Sequence, residues 1–345
     1  MHKFLLASFL VFLLFFCTNG QVYTYPVNLQ PGPCDKAAME LPGSFKKTDD
    51  YTFNYWDNSF APAMTRRTDA MLFLIKECFP GAKGFESSYY REMFKGSYAK
   101  EGPREYILTT NFLLYGGTCS VNAASRQPDT KNFKPASETD NWLYTYFNYP
   151  GSFFESTEKL MIQGQLHTIY RTRPYIGQWK GHALFGSPEF LNGEARSTTG
   201  NVWLMMTRDT GKAYLQISRR MYLQALLDTY DQDYQRDTAG QHLKRNILQY
   251  LATQPTDSLK LPMLLYSHRD TDPISDWFNP KTIRTPPSML LAPQHQYWRT
   301  NQDPAAPQLI VLRFRYAMGQ WKDVELKKRF EKNFPLENLA GLIDK

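Results

Sequence analysis

From residue 58 onward the chain moves between two hydrophobic rhythms. Met64, Met71, Leu72, Ile75, Cys78 and Phe79 recur on one side of a helix, Pro62 suits its first turn, and Pro80-Gly81 stops it. Past Gly84 the rhythm changes to short aromatic and β-branched runs at 106–115, 142–149, 159–162, 166–171 and 179–185. Each is bounded by Gly, Pro, Asn or Asp, the pattern of antiparallel strands. Between them, residues 120–141 are polar and contain Pro128 and Pro135, which predicts a surface loop. Residues 21–57 lack sustained periodicity and read as an extended lead-in.

The sharpest local signal is at 201–217. Two apolar runs, 201–208 and 213–217, flank Asp209-Thr210-Gly211-Lys212, where a late glycine can supply positive φ; this predicts a β-hairpin. Ser218 follows as an N-cap, and Met221, Tyr222, Ala225 and Leu226 begin an apolar helical stripe. The stripe lapses over 228–241 and resumes with Leu243, Ile247, Leu248 and Leu251, so two helical pieces or one bent arm are expected. Residues 255–307 are proline-rich and read as a long irregular connection. A strand at 309–316 follows, its later half alternating apolar and charged, and two short helices carry Val324, Phe330, Phe334, Leu339, Leu342 and Ile343. The sum is an α+β fold: a mostly antiparallel central sheet with an N-terminal helix, a helical arm after Ser218, and a C-terminal strand plus short helices. It forms a single domain over 58–345, with a sub-boundary near 255.

The first twenty residues change the picture of where this fold works. Lys3, an apolar run from Phe4 to Cys17 and the small Gly20 have the layout of a cleavable signal peptide, and the run is shorter than the roughly 20 residues that span a bilayer. Periplasmic or extracellular export is expected, with lipidation at Cys17 the alternative. Cleavage removes one of the 40 Lys and Arg and none of the 33 acids, leaving a moderately basic chain. Its cations stand in short runs, Lys46-Lys47, Arg66-Arg67, Arg219-Arg220 and Lys327-Lys328-Arg329, which read as solvated faces and not as a nucleic-acid stripe. Cys34, Cys78 and Cys119 remain, enough for one disulfide and one thiol.

Chemical motifs are mostly absent. The chain holds no phosphate loop, H-E-x-x-H pair, G-x-S-x-G elbow or G-x-G-x-x-G fingerprint, so no cofactor is expected. Ser267-His268-Arg269-Asp270 has the letters of a kinase catalytic loop without its companion motifs. Asp270, Asp272 and Asp276 lack the spacing of a calcium loop and read as a polar turn, leaving no metal site expected. His167, His182, His242, His268 and His295 have no spacing that pairs them with a nucleophile. Cys119 follows a glycine-rich approach but reads as a disulfide half or a buried thiol. Aromatic residues are 15% of the chain, read mainly as core, with a stacking surface for sugars as the alternative.

One local conflict suggests a site. Arg219 and Arg220 stand in the first turn after Ser218, where the helix dipole disfavours cations; with the free N–H groups the three residues could form an anion-binding corner. The segments Tyr175-Ile176-Gly177-Gln178-Trp179-Lys180-Gly181-His182-Ala183-Leu184-Phe185, Trp203-Leu204-Met205-Met206-Thr207-Arg208, Ser218-Arg219-Arg220-Met221-Tyr222-Leu223 and Pro307-Gln308-Leu309-Ile310-Val311 resemble an uncharacterised family of exported proteins from Bacteroidetes-type bacteria. Before the arginine-bearing helix this chain has Lys212-Ala213-Tyr214 where that family tends to have Leu-Pro-Tyr. The resemblance covers about half the chain and implies an envelope location and one continuous fold; it carries no activity. The expectation is a non-catalytic envelope or extracellular binding protein for an anionic or saccharide ligand, without nucleic acid or a membrane span after cleavage. The alternative is a secreted hydrolase whose site assembles only in three dimensions.

Overall fold

A computed structural model describes residues 29–52, 60–93, 104–122, 127–150, 153–162, 164–186, 199–209, 213–233, 238–266, 274–278, 287–294, 297–298, 303 and 305–343. The signal-peptide segment, Gly211, His268, His295, Asp270 and Asp272 lie outside them. In chain order the elements are α1 (Pro33–Ala38), β1 (Ser44–Lys47), β2 (Tyr51–Thr52), α2 (Ala61–Glu77), β3 (Phe85–Met93) and β4 (Tyr106–Gly116). Three two-residue strands follow, β5 (Ser120–Val121), β6 (Pro128–Asp129) and β7 (Lys134–Pro135). Next come β8 (Trp142–Phe147), β9 (Phe154–Ile162), β10 (Gln165–Thr172), β11 (Tyr175–Trp179), β12 (His182–Gly186), β13 (Thr199–Thr207) and β14 (Tyr214–Gln216). The chain closes with α3 (Arg219–Asp233), α4 (Thr238–Thr253), α5 (Thr256–Lys260), β15 (Leu264–Leu265), α6 (Ile274–Phe278), β16 (Ser288–Pro293), β17 (Leu309–Ala317), α7 (Trp321–Asn333) and α8 (Leu336–Ala340).

The strands form two stacked sheets, each covered by helices on its outer side. The larger runs β1-β3-β4-β8-β17-β13-β12-β11, antiparallel except where β1 and β2 join β3. One face presents Leu108, Phe112, Leu143, Phe147, Leu312, Phe314, Leu204 and Met206, which share a core with Met64, Met71 and Ile75 of α2, Phe330 of α7 and Leu339 of α8. Period-two alternation sends their neighbours Ile107, Tyr146, Val311 and Trp203 to the opposite face, where they pack with Phe153 and with Met289 of the smaller sheet. That sheet runs β14-β16-β10-β9. Its far face, with Leu160, Ile162, Ile169, Leu290 and Ala292, meets Leu223 of α3, Ile247 of α4 and Trp277 of α6. The layers therefore run helix, sheet, sheet, helix, and the α+β class with mostly antiparallel strands holds.

Three local expectations change. The residues of the expected 201–217 hairpin do not pair with each other: β13 is flanked by β12 and β17 in the large sheet, whereas β14 pairs with β16 in the small one. The Ala213 N–H donates to the Asp209 carbonyl over 2.9 Å, and between β13 and β14 the chain passes from one sheet to the other. Within the supposedly irregular 255–307 stretch, β16 is the buried interior strand of the small sheet, its Ser288–Ala292 side chains all enclosed. In the lead-in, α1 is anchored by a Cys34–Cys119 disulfide with Cα atoms 6.1 Å apart, β1 pairs with β3, and Cys78 is a buried free thiol.

The C-terminal charge run also divides. Lys327 is only 1% exposed: its ammonium donates to Glu331 Oε1 over 2.5 Å and lies 5.3 Å from the Tyr316 ring centre. Helical phase turns it toward the sheet, while Lys328 is exposed. Among the described residues no helix is long and apolar enough to cross a membrane.

Candidate ligand-binding face

Cross-strand register sets out the large sheet's second face in rows, and Trp203 and Phe185 of this face are buried with Phe153 and with Met289 of the smaller sheet. One row reads Tyr90, Thr109, Tyr144, Arg313, Trp203 and Phe185 across β3, β4, β8, β17, β13 and β12. The row beside it reads Ser88, Asn111, Trp142, Arg315 and Asn201, all half-buried. On the other side, Ile107, Tyr146 and Val311 disappear beneath the small sheet.

Within the first row, aromatic rings and guanidinium groups alternate. Arg313 lies 5.2 Å from the Tyr144 ring centre and 5.4 Å from that of Trp203; Arg173, from the β10–β11 connection, lies 5.2 Å from Trp203. Each such contact contributes on the order of 1 kcal/mol when partly desolvated. The Arg313 Nε–H donates to Asn201 Oδ1 over 2.9 Å, which fixes the plane of the fork. Arg315 pairs with Asp140 at 2.7 Å, and Arg173 reaches Glu155 at 3.4 Å. Along β8 the rings of Trp142, Tyr144 and Tyr146 are spaced 6.0 Å apart and nearly parallel, and the Trp142 indole N–H donates to the Thr139 carbonyl over 2.9 Å.

Electrostatics follow from this half-buried position. Burial raises the Tyr144 phenol above its usual range, opposed by Arg313 and Arg315. It raises Tyr146 likewise, opposed by Arg313. Glu92, beside Ile107 on β3, is held above the usual carboxylate range by burial against the pull of hydrogen bonds from Thr109 and Tyr90. Trp203 is 2% exposed, and its indole N–H is buried without an acceptor among the described residues. Rings and fixed planar donors of this kind can stack on and hydrogen-bond a polar ligand. Among the described residues no group of three or more His, Cys, Asp and Glu is placed to hold a metal.

The residues singled out in the sequence lie elsewhere. Ser218 does cap α3, its Oγ accepting the Met221 N–H over 3.2 Å. The Arg219 N–H is bound to the Leu261 carbonyl at 3.0 Å; its guanidinium rests 5.0 Å from the Phe278 ring centre, whereas Arg220 is exposed. His167, His182 and His242 sit on β10, β12 and α4 and are not hydrogen-bonded to one another. Cys119 is a disulfide half. Sequence reasoning missed Tyr144, Arg173, Trp203 and Arg313 because cross-strand order is not written along the chain; the signal within reach was the alternation in β17, which puts Arg313 and Arg315 on one face. Comparison with family models, with curated proteins and with solved structures brings no match for this chain.

Proposed function

We propose that this chain is an exported binding protein, periplasmic or extracellular, whose anionic or saccharide ligand lies on the half-buried arginine–aromatic rows of the large sheet. The observation that carries the reading is the Tyr144–Arg313–Trp203–Arg173 alternation next to Trp142 and the Asp140–Arg315 pair. Aromatic rings fit the apolar face of a sugar, and paired charges with amides suit its hydroxyls. The Cys34–Cys119 disulfide supports an oxidising compartment.

Calorimetric titration of the purified chain with a panel of neutral and acidic oligosaccharides tests the reading. Trp142→Ala should weaken binding at least tenfold while the circular dichroism spectrum is unchanged; a panel without binders, or binding indifferent to Trp142, refutes it. The hydrolase reading is favoured by one observation, the burial-raised carboxyl of Glu92 near Tyr144. It requires turnover of the bound saccharide that is lost in Glu92→Gln.

A further inference from the structure

We infer that a single proton on Asp323 sets a latch between α7 and the corner leading into β8: with it, Asp323 and Asn141 join through two reciprocal hydrogen bonds, and without it through one. The latch needs no ligand, so it stands apart from the binding reading above. Asn141 is 2% exposed and Asp323 9%, which places both groups away from bulk water. The Asn141 Nδ2–H donates to Asp323 Oδ1 over 2.6 Å, whereas Asn141 Oδ1 is buried without a donor among the described residues.

Buried acceptors are seldom left so, and what this one lacks is a donor. An ionised carboxyl has none to offer; a protonated one carries an O–H beside its carbonyl oxygen. A carboxylic acid facing a primary amide can therefore give and take at once, and the second bond satisfies the Asn141 oxygen. Burial acts in the same direction, raising the Asp323 carboxyl to about 6. On α7, Lys322 and the first-turn position favour the ionised form, but the Lys322 ammonium donates to the Tyr115 carbonyl at the end of β4 over 2.8 Å. Asp140, just ahead of β8, favours the protonated form and is itself paired with Arg315 of β17 at 2.7 Å. One turn along α7, Lys327 is paired with Glu331.

Asn141 is also the hub of its corner. Its backbone N–H donates to Thr139 Oγ1 at 2.9 Å, and that hydroxyl donates to the Phe112 carbonyl at 2.7 Å. The Phe112 N–H returns to the Asn141 carbonyl at 3.0 Å, and the Trp142 indole N–H holds the Thr139 carbonyl at 2.9 Å. The proton on Asp323 thus fastens the start of α7 to the corner where β4 meets β8. A folded value above the unfolded 3.8 means that this fastening is present at low pH and is lost as pH rises through about 6. Above that point a buried charge and an unmet acceptor face each other, and the first turn of α7 opens more readily.

Hydrogen exchange of the full chain at pH 5 and pH 7.5, corrected for the intrinsic chemistry of exchange, tests the latch. The amides of α7 should open about tenfold less often at pH 5, the factor that one pH unit below the carboxyl's midpoint supplies, while those of α4 on the other sheet are unchanged. Asp323→Asn, whose amide also gives and takes, should keep α7 protected at both pH values. A readout that needs no variant is the side-chain carbonyl carbon of Asn141 in asparagine-labelled protein. On acidification it should move downfield with the same midpoint as the Asp323 carboxyl, near 6. A carbonyl resonance that stays in place while Asp323 titrates overturns the reciprocal pair. Exchange of α7 that is equal at the two pH values, or a change shared equally by α4, overturns the latch.

Discussion

At the first turn of α7, Asp323 carries a charge that its surroundings resist. The residue is 9% exposed, and burial pushes its carboxyl up to about 6, against the pull of hydrogen bonds from Asn141 Nδ2 at 2.6 Å and from its own backbone N–H. A folded value above the unfolded 3.8 means that the native state holds the proton more tightly. The resulting stabilisation is complete below pH 4 and is lost as pH rises through 6. Asp323→Asn should be indifferent to that window and more stable than the parent at pH 7 by roughly 1–3 kcal/mol, since one pKa unit corresponds to about 1.4 kcal/mol. Urea midpoints at pH 4 and pH 7 check this, and a variant–parent difference that is the same at both pH values refutes it. Neither this burial nor that of Lys327 is visible in composition. A run such as Lys327-Lys328-Arg329 reads as solvated until helical phase assigns one member to the core.

Gly84 sets the entry of β3. Its φ is +93°, its N–H donates to the Leu41 carbonyl at 2.8 Å, and an added Cβ would stand 2.9 Å from the Met39 Cα. Positive φ and backbone crowding act together here, so Gly84→Ala should lower unfolding free energy by about 2 kcal/mol or more, read as a drop in urea midpoint at unchanged slope. A midpoint within error of the parent would refute the argument. At this scale the sequence is a good guide where one face decides. The Met64–Ile75 stripe, the β4, β8 and β17 runs and the Ser218 cap all appear where their spacing puts them. It fails where the partner decides. Thr207 and Ala213 flank turn chemistry suited to a hairpin, yet β13 meets its hydrogen-bonding needs with β12 and β17. Met289 to Ala292 is a short apolar run hemmed by prolines, and only its place between β14 and β10 makes it an interior strand. The candidate face was less legible still, because Tyr144, Arg313 and Trp203 lie on three strands that register alone brings together.

The whole molecule shows its cysteine chemistry as a consequence of layering. Cys34 and Cys119, 85 positions apart, join α1 to the segment between β4 and β5. A loop of that length restricts the unfolded chain enough to contribute about 4 kcal/mol. Cys78 instead lies in the core beneath the large sheet; its thiol donates to the Leu74 carbonyl at 3.1 Å, and burial pushes its pKa up to about 12. A protonated, enclosed sulfur is a poor nucleophile. Iodoacetamide should therefore add nothing to the native protein at pH 8. In denaturant without reductant it should add one adduct, at Cys78, and after reduction three, at Cys34, Cys78 and Cys119. The same count reports on export, because a chain that keeps its first twenty residues also keeps Cys17. Intact mass spectrometry that finds four adducts after reduction would refute cleavage, and native labelling of Cys78 would refute its burial. Two adducts before reduction would point to Cys17 still present and the disulfide intact, whereas three adducts before reduction from a mature chain would show that Cys34 and Cys119 are not joined.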